Sequence, residues 1–173
     1  MDKGLFFVLV IVCIVTHCIR SLYEILKHRK VIKSTKVTFV IVFVNMALLW
    51  ASWFALCSLD IYGIAIPGII RYAGISLCGM GLIVFLVALT TIKTLESYEG
   101  NLITSGIYSK IRHPMYLGFI FWLIGFPFFS GALFSIFLSV PFVANVLFWR
   151  HLEEKELEER FSSYREYRKT TMF

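Results

Sequence analysis

The chain has 173 residues, 58% of them hydrophobic and only 16% charged, with a mean hydropathy of +0.78. Length gives one domain, and a soluble domain of this size has too much surface to hide so many apolar side chains, which argues against a soluble globular enzyme, a disordered tail and a nucleic-acid module. In so apolar a chain the formal net charge of +6 points to cytoplasmic loops facing anionic lipid rather than to nucleic acid.

A spanning helix needs about 20 mostly apolar residues. The first candidate runs from Gly4 to Ile19 and is closed by Arg20; no small-residue cleavage site follows Thr16-His17-Cys18, so it reads as a retained span rather than a signal. Arg20 to Lys36 is a basic polar stretch. The second span runs from Val37 to Leu59, and a Gly/Pro segment, Tyr62 to Gly68, turns the chain. The third is Ile69 to Leu89, with Arg71 near its start. After a polar stretch from Lys93 to Pro114, the apolar block Met115 to Trp149 is too long for one span. It divides near Ser130-Gly131 into two short helices of a tight hairpin, with kinks expected at Pro127 and Pro141.

This predicts an all-α integral membrane protein with five transmembrane helices, a final helical hairpin and a cytoplasmic C-terminal helix. Of the 17 Lys and Arg, all but Lys3 and Arg71 fall in the Arg20–Lys36 loop, the Lys93–Pro114 segment and the tail from Arg150. The positive-inside rule then puts the N-terminus outside and the C-terminus in the cytoplasm, and the odd number of spans agrees. Cys13, Cys18, Cys57 and Cys78 all lie inside apolar runs, match no metal-ligand or disulfide spacing, and read as small packing residues. With no Gly-rich nucleotide fingerprint and no Walker sequence, an active site has to be made from cytoplasmic loops and span ends.

Two stretches carry the chemistry. Asn101 to Gly118 runs directly into the fourth span. Pro114 disfavours the helical conformation at His113 and suits the first turn of the following helix. Arg112 and His113 then sit at a helix mouth beside free backbone N–H groups, where an anionic group is favoured; the plainer reading is that Arg112 snorkels to headgroups and His113 caps a helix. The second stretch, Arg150 to Leu157, continues the fifth span outward. Arg150 and Glu154 are four apart and share a face. The plainer reading there is a solvated ion pair on an amphipathic tail, pinned to the surface by Leu152, Leu157 and Phe161.

Taken together, the two stretches resemble a known family. Leu102-Ile103-Thr104-Ser105-Gly106-Ile107-Tyr108, then Arg112-His113-Pro114-Met115-Tyr116-Leu117-Gly118, is similar to the signature of the isoprenylcysteine carboxyl methyltransferases, integral-membrane enzymes also related to phospholipid methyltransferases. The family follows that signature with a helical hairpin and an Arg-x-x-x-Glu, a Leu, a Phe and a Tyr-x-x-Tyr, here Arg150, Glu154, Leu157, Phe161, and Tyr164 with Tyr167. The resemblance covers about Lys93 to Tyr167; the stretch Phe161-Ser162-Ser163-Tyr164 is one residue shorter than in many members. Hydropathy puts three N-terminal spans with a basic cytoplasmic loop over 1–92, and the resemblance implies a catalytic region over 93–173.

The resemblance further implies methyl transfer from S-adenosylmethionine, leaving S-adenosylhomocysteine, at the cytoplasmic face. Lys93, Gly100, Asn101, Leu102, Ile103, Tyr108, His113, Pro114, Met115, Tyr116 and Glu154 would contact the cofactor. Arg150 would face the methyl acceptor, with Arg112, His113 and Glu154 beside it in the catalytic set. The acceptor would be lipophilic, a prenylated cysteine carboxylate or a lipid-like molecule, reached from the membrane lipids; no metal and no nucleic acid are expected. A carboxylate acceptor needs no general base, whereas a neutral amine or hydroxyl would make His113, Glu153 or Glu154 a candidate base. The Phe and Trp residues crowding Phe119 to Trp149 would line a gap for an apolar chain, or simply pack and face lipid. Relatives that methylate phospholipid amines, thiols or polyketides, an NADPH-dependent sterol-type reductase, and a small membrane scaffold are the alternatives.

Overall fold

The computed structural model describes residues 3–33, 35–92 and 102–173. Among these residues it holds six α-helices: α1 (Lys3–His28), α2 (Lys36–Ser58), α3 (Gly68–Thr91), α4 (Pro114–Ser130), α5 (Leu133–Arg160) and α6 (Tyr164–Thr170), with a 3-10 turn at Gly106–Ser109 before α4. The all-helical class agrees with expectation. α1, α2, α3 and α5 are each long and apolar enough to cross a membrane, whereas α4, with 17 residues, is shorter. Apolar side chains such as Phe43, Ile69 and Ile83 are exposed, as on helices that face lipid, and the architecture is that of a multi-pass membrane protein.

One boundary differs from the sequence reading. The stretch beginning at Arg20 was expected as a polar loop, but α1 continues to His28. No Gly or Pro interrupts Ser21 to His28. Arg20 pairs with Glu24 one turn on, and Lys27 Nζ lies 3.0 Å from Glu156 Oε2 on α5. Partnered charges thus carry the helix past its apolar part. α2 begins where Thr35 and Thr38 form a reciprocal cap: Thr38 N–H donates to Thr35 Oγ1 at 3.2 Å, and Thr35 N–H donates to Thr38 Oγ1 at 2.7 Å.

α3 and α4 run antiparallel with their backbones in close approach. A Cβ on Gly125 would stand 2.6 Å from Gly74 O, and one on Gly118 would stand 2.8 Å from Gly81 O. The two glycines on each helix are seven residues apart, so they form one seam that admits no side chain. Beside this seam Trp122 packs against Trp50 and Phe85, with ring centroids 5.2 and 5.3 Å apart. Phe119, Trp122, Phe142 and Trp149 are buried in the core. These four aromatics pack between helices.

The α4–α5 break falls where expected. Gly131 closes α4 at φ 72°, a left-handed cap that suits glycine. The next helix is anchored by Asp60 from the end of α2. Its carboxylate accepts from Ser135 N–H at 2.8 Å and from Ser135 Oγ–H at 2.9 Å, an anion at a helix N-terminus. α5 runs through Pro141 without a break and on to Arg160, so its charged last turns project beyond the apolar stretch that ends at Trp149.

Candidate active site

The site forms where α4 begins, α5 leaves its apolar stretch and α6 folds back. Gly106, at φ 59°, turns the chain against Thr91 at the end of α3. Tyr108 follows, half-buried in the 3-10 turn. Arg112 N–H donates to Met172 O at 3.0 Å and Met172 N–H to Lys110 O at 2.8 Å, so the chain's last residues lie alongside the approach to α4. His113 is held at φ −124°, ψ 60°, outside the helical region as the following proline demands, and Pro114 opens the helix. Its ring is 6% exposed and stacks on Tyr116 at 5.7 Å between centroids.

α5 brings carboxylates to this ring from both sides. Glu154, also 6% exposed, places Oε1 3.5 Å from His113 Nε2 and 3.3 Å from Arg112 Nε. Glu153 Oε2 lies 3.7 Å from His113 Nδ1. From α6, the buried Tyr164 hydroxyl stands 3.4 Å from His113 Nε2. The hydrogen bond from His113 holds the Glu154 carboxyl well below the usual carboxylate range, at about 2; burial opposes this shift, and the charges of His113, Arg150 and Arg112 add to it. Burial pushes the Tyr108 and Tyr164 phenols up, so both stay protonated at neutral pH.

Arg112 also ties the tail down. Its Nη1 donates to Thr171 O at 2.6 Å and to Arg168 O at 3.0 Å. Arg150 sits one turn before Glu154 on α5. Its guanidinium lies 4.6 Å from the Phe173 ring centroid, and its Nε is buried with no hydrogen-bond partner among the described residues. The ion pair that the Arg150–Glu154 spacing allowed is not among the described ones; Glu154 pairs with Arg112 instead. A buried guanidinium N–H without an acceptor is costly, and it is a donor that a bound anion would satisfy.

The fold therefore gathers Arg112, His113, Pro114, Tyr116 and Glu154, with Arg150 adjacent. Tyr108 joins through its carbonyl, which accepts from Tyr167 Oη–H at 2.5 Å. Leu102 is half-buried and Ile103 is 38% exposed in the segment before the turn, while Met115 packs against the core. Lys93, Gly100 and Asn101 lie outside the described residues. Sequence reasoning gave Tyr164 no role and missed the Thr171–Phe173 tail. The Tyr164–Tyr167 spacing of three was the available signal for the first; nothing local announced the second.

A buried cluster of ion pairs at the charged end of an apolar helical bundle defines a multi-pass membrane protein with the makings of a catalytic centre. A family model described as phospholipid methyltransferase matches residues 69–164, more than half of the chain, and the chain belongs to this family of membrane methyltransferases. The match runs from α3 through the site to Tyr164. Over 84 residues the chain is 33% identical to the protein-S-isoprenylcysteine O-methyltransferase of Xenopus laevis, a match covering 43% of this chain and 26% of that protein. No solved structure matches.

Proposed function

We propose that the chain transfers a methyl group from S-adenosylmethionine to a lipophilic acceptor at the cytoplasmic face of the membrane. The observation that carries this reading is the buried Arg112–His113–Glu154–Tyr164 cluster at the mouth of α4, with the unpartnered Arg150 Nε beside it. The charge distribution supports five crossings, with the N-terminus outside and the C-terminal helix in the cytoplasm. At 1.5 Å per residue α4 is about 26 Å long, close to the roughly 30 Å of a hydrocarbon core, and it crosses packed on α3.

The donor set fits the cofactor. S-adenosylmethionine supplies a methyl group already activated on a sulfonium, so the chain's residues have only to bind, orient and exclude water. Both described ion-pair contacts of Glu154 use Oε1, which leaves Oε2 to meet a cationic group of the cofactor. His113 and the first N–H groups of α4 suit its carboxylate. Tyr108 and Tyr116 offer ring faces. Arg150 would hold an acceptor carboxylate through charge-assisted hydrogen bonds, satisfying its buried Nε–H. With the methyl donor bound, a carboxylate held by Arg150 would need only alignment and exclusion of water, and no residue of the chain would have to take up a proton.

The acceptor proposed first is the C-terminal carboxylate of an isoprenylated cysteine, in keeping with the Xenopus relative's name. A phospholipid amine is the second reading, supported by the family description and by the Glu153 carboxylate 3.7 Å from His113, a candidate base. Methyl transfer from labelled S-adenosylmethionine to a farnesylcysteine analogue and to phosphatidylethanolamine decides between them. On the first reading the farnesylcysteine analogue is methylated, and Arg150→Ala loses that transfer while keeping cofactor binding. Transfer to the amine alone, unaffected by Arg150→Ala, selects the second. Binding of NADPH in place of S-adenosylmethionine overturns both.

A further inference from the structure

A second polar centre lies outside this site, inside the apolar part of the bundle. His17 on α1 is 3% exposed and is stacked between Phe142, 3.8 Å away, and Trp149, 5.4 Å away, both on α5. A chain of hydrogen bonds runs to it. Trp149 Nε1–H donates to Ser21 Oγ at 2.9 Å, the Ser21 hydroxyl donates within reach of both Asn145 Oδ1 at 2.7 Å and His17 O at 2.9 Å, and Asn145 Nδ2–H donates to His17 Nδ1 at 3.1 Å. With Nδ1 accepting, the ring carries its proton on Nε2, and that buried atom has no partner among the described residues. The series ends in a free donor.

His17 lines a groove of about 480 Å3 between α1 and α5, together with Ile14, Ser21, Leu22, Phe142 and Asn145. Ile14 and Leu22 are 43% and 56% exposed, so the groove opens sideways among lipid-facing side chains. Arg20, paired with Glu24 and lying over the Trp149 ring, is the first charged side chain of α1 after Lys3. His17 is three residues earlier, about 4.5 Å deeper along the helix. In a diacyl glycerophospholipid the ester carbonyls lie at that depth, just beneath the headgroup. Ser21 and Asn145 are engaged with each other and with His17, so a water in the groove would find few of the two to four partners it needs.

We infer that this groove holds one diacyl glycerophospholipid of the surrounding bilayer, with His17 Nε2–H donating to an ester carbonyl and an acyl chain lying along Ile14 and Phe142. The inference stands apart from the methyl-transfer reading, since none of these residues belongs to the His113 cluster.

The test is native mass spectrometry of the full chain in detergent, titrated with dioleoyl phosphatidylcholine and with its diether analogue, which lacks the carbonyls. The native chain is expected to bind the diester about fivefold more tightly, the size of one hydrogen bond, and His17→Phe, which keeps the stack but not the N–H, to bind both alike. Ile14→Trp, placed at the lipid-facing lip where folding is least at risk, is expected to weaken both lipids together. S-adenosylhomocysteine binding should be unchanged in both variants, which separates this site from the other. Equal affinity of the native chain for diester and diether, survival of the preference in His17→Phe, or full lipid affinity in Ile14→Trp would each overturn the proposal.

Discussion

The two buried histidines sit in opposite surroundings. His113 stands at the mouth of α4 between the carboxylates of Glu153 and Glu154, under the Tyr164 hydroxyl and beside Arg112. His17 stands within the apolar span, where its described partners are an amide and two aromatic faces. Both are almost fully buried, so burial does not separate them; the charge of the neighbours does. At the end of the bundle ionised side chains can satisfy one another and reach the tail and solvent. Inside the span a full charge is expensive, and uncharged hydrogen bonds build the network instead, up to the donor left on His17 Nε2. The ionised cluster sits at the mouth of α4, and the uncharged network lies between α1 and α5.

The largest expected effect separates the two regions outright. Gly125→Val puts a branched side chain where even a Cβ stands 2.6 Å from Gly74 O. It should cost at least about 3 kcal/mol, seen as a large drop in thermal midpoint or loss of the monodisperse peak in detergent. Because α4 carries His113 and the His17 groove is built on α1 and α5, cofactor binding should be lost first. A variant as stable as the native chain would mean that the seam does not hold α4.

Next, Glu154→Gln removes the charge that His113 and Arg112 share. Affinity for S-adenosylhomocysteine should fall at least about tenfold, the scale of one charge-assisted hydrogen bond, with lipid binding at the His17 groove unchanged. The same variant gives a pH test. With its folded value lowered to about 2 from an ordinary 4.5, ionised Glu154 contributes stability that is fully present above pH 4.5 and is lost as pH falls toward 2. The difference in thermal midpoint between the native chain and Glu154→Gln should shrink as the pH is lowered from 4.5 toward 2. A difference that grows on acidification would contradict the assignment.

The smallest effect concerns the tail. Arg112→Lys keeps a charge near Glu154 but loses the fork that also reaches Thr171 O and Arg168 O. The expected cost is about 1–2 kcal/mol of local stability, visible as faster amide exchange at Met172, with α2 unaffected. Unchanged exchange at Met172 would show that the backbone pairing with Lys110 and Arg112 suffices.

Much of this was legible in the sequence, for identifiable reasons. Apolar runs of spanning length, a Gly at the hairpin turn and the Pro114 start signal act locally, and the helices appear where they point. Arg112-His113-Pro114 and Arg150-x-x-x-Glu154 were legible because each is short and of fixed spacing, and the fold joins them through the Arg112–Glu154 and His113–Glu154 contacts. The extension of α1 to His28 was half legible: Arg20 and Glu24 form a local pair, whereas Lys27 is satisfied from α5, far along the chain. The Gly74–Gly125 and Gly81–Gly118 seam was written in spacings of seven, which carry meaning only once α3 and α4 are known to be antiparallel neighbours. The His17 network joins α1 to α5 across more than a hundred residues, and a lone histidine in an apolar run gives no sign of such partners.

The central claim is that the His113–Glu154 cluster binds the methyl donor. Calorimetric titration of S-adenosylhomocysteine into the detergent-purified chain, beside His113→Ala and Glu154→Ala variants shown to be folded by their thermal transitions, tests it most directly. The account predicts saturable binding by the native chain and its loss in both variants. Absence of binding to a folded native chain, or equal binding by all three, would contradict it.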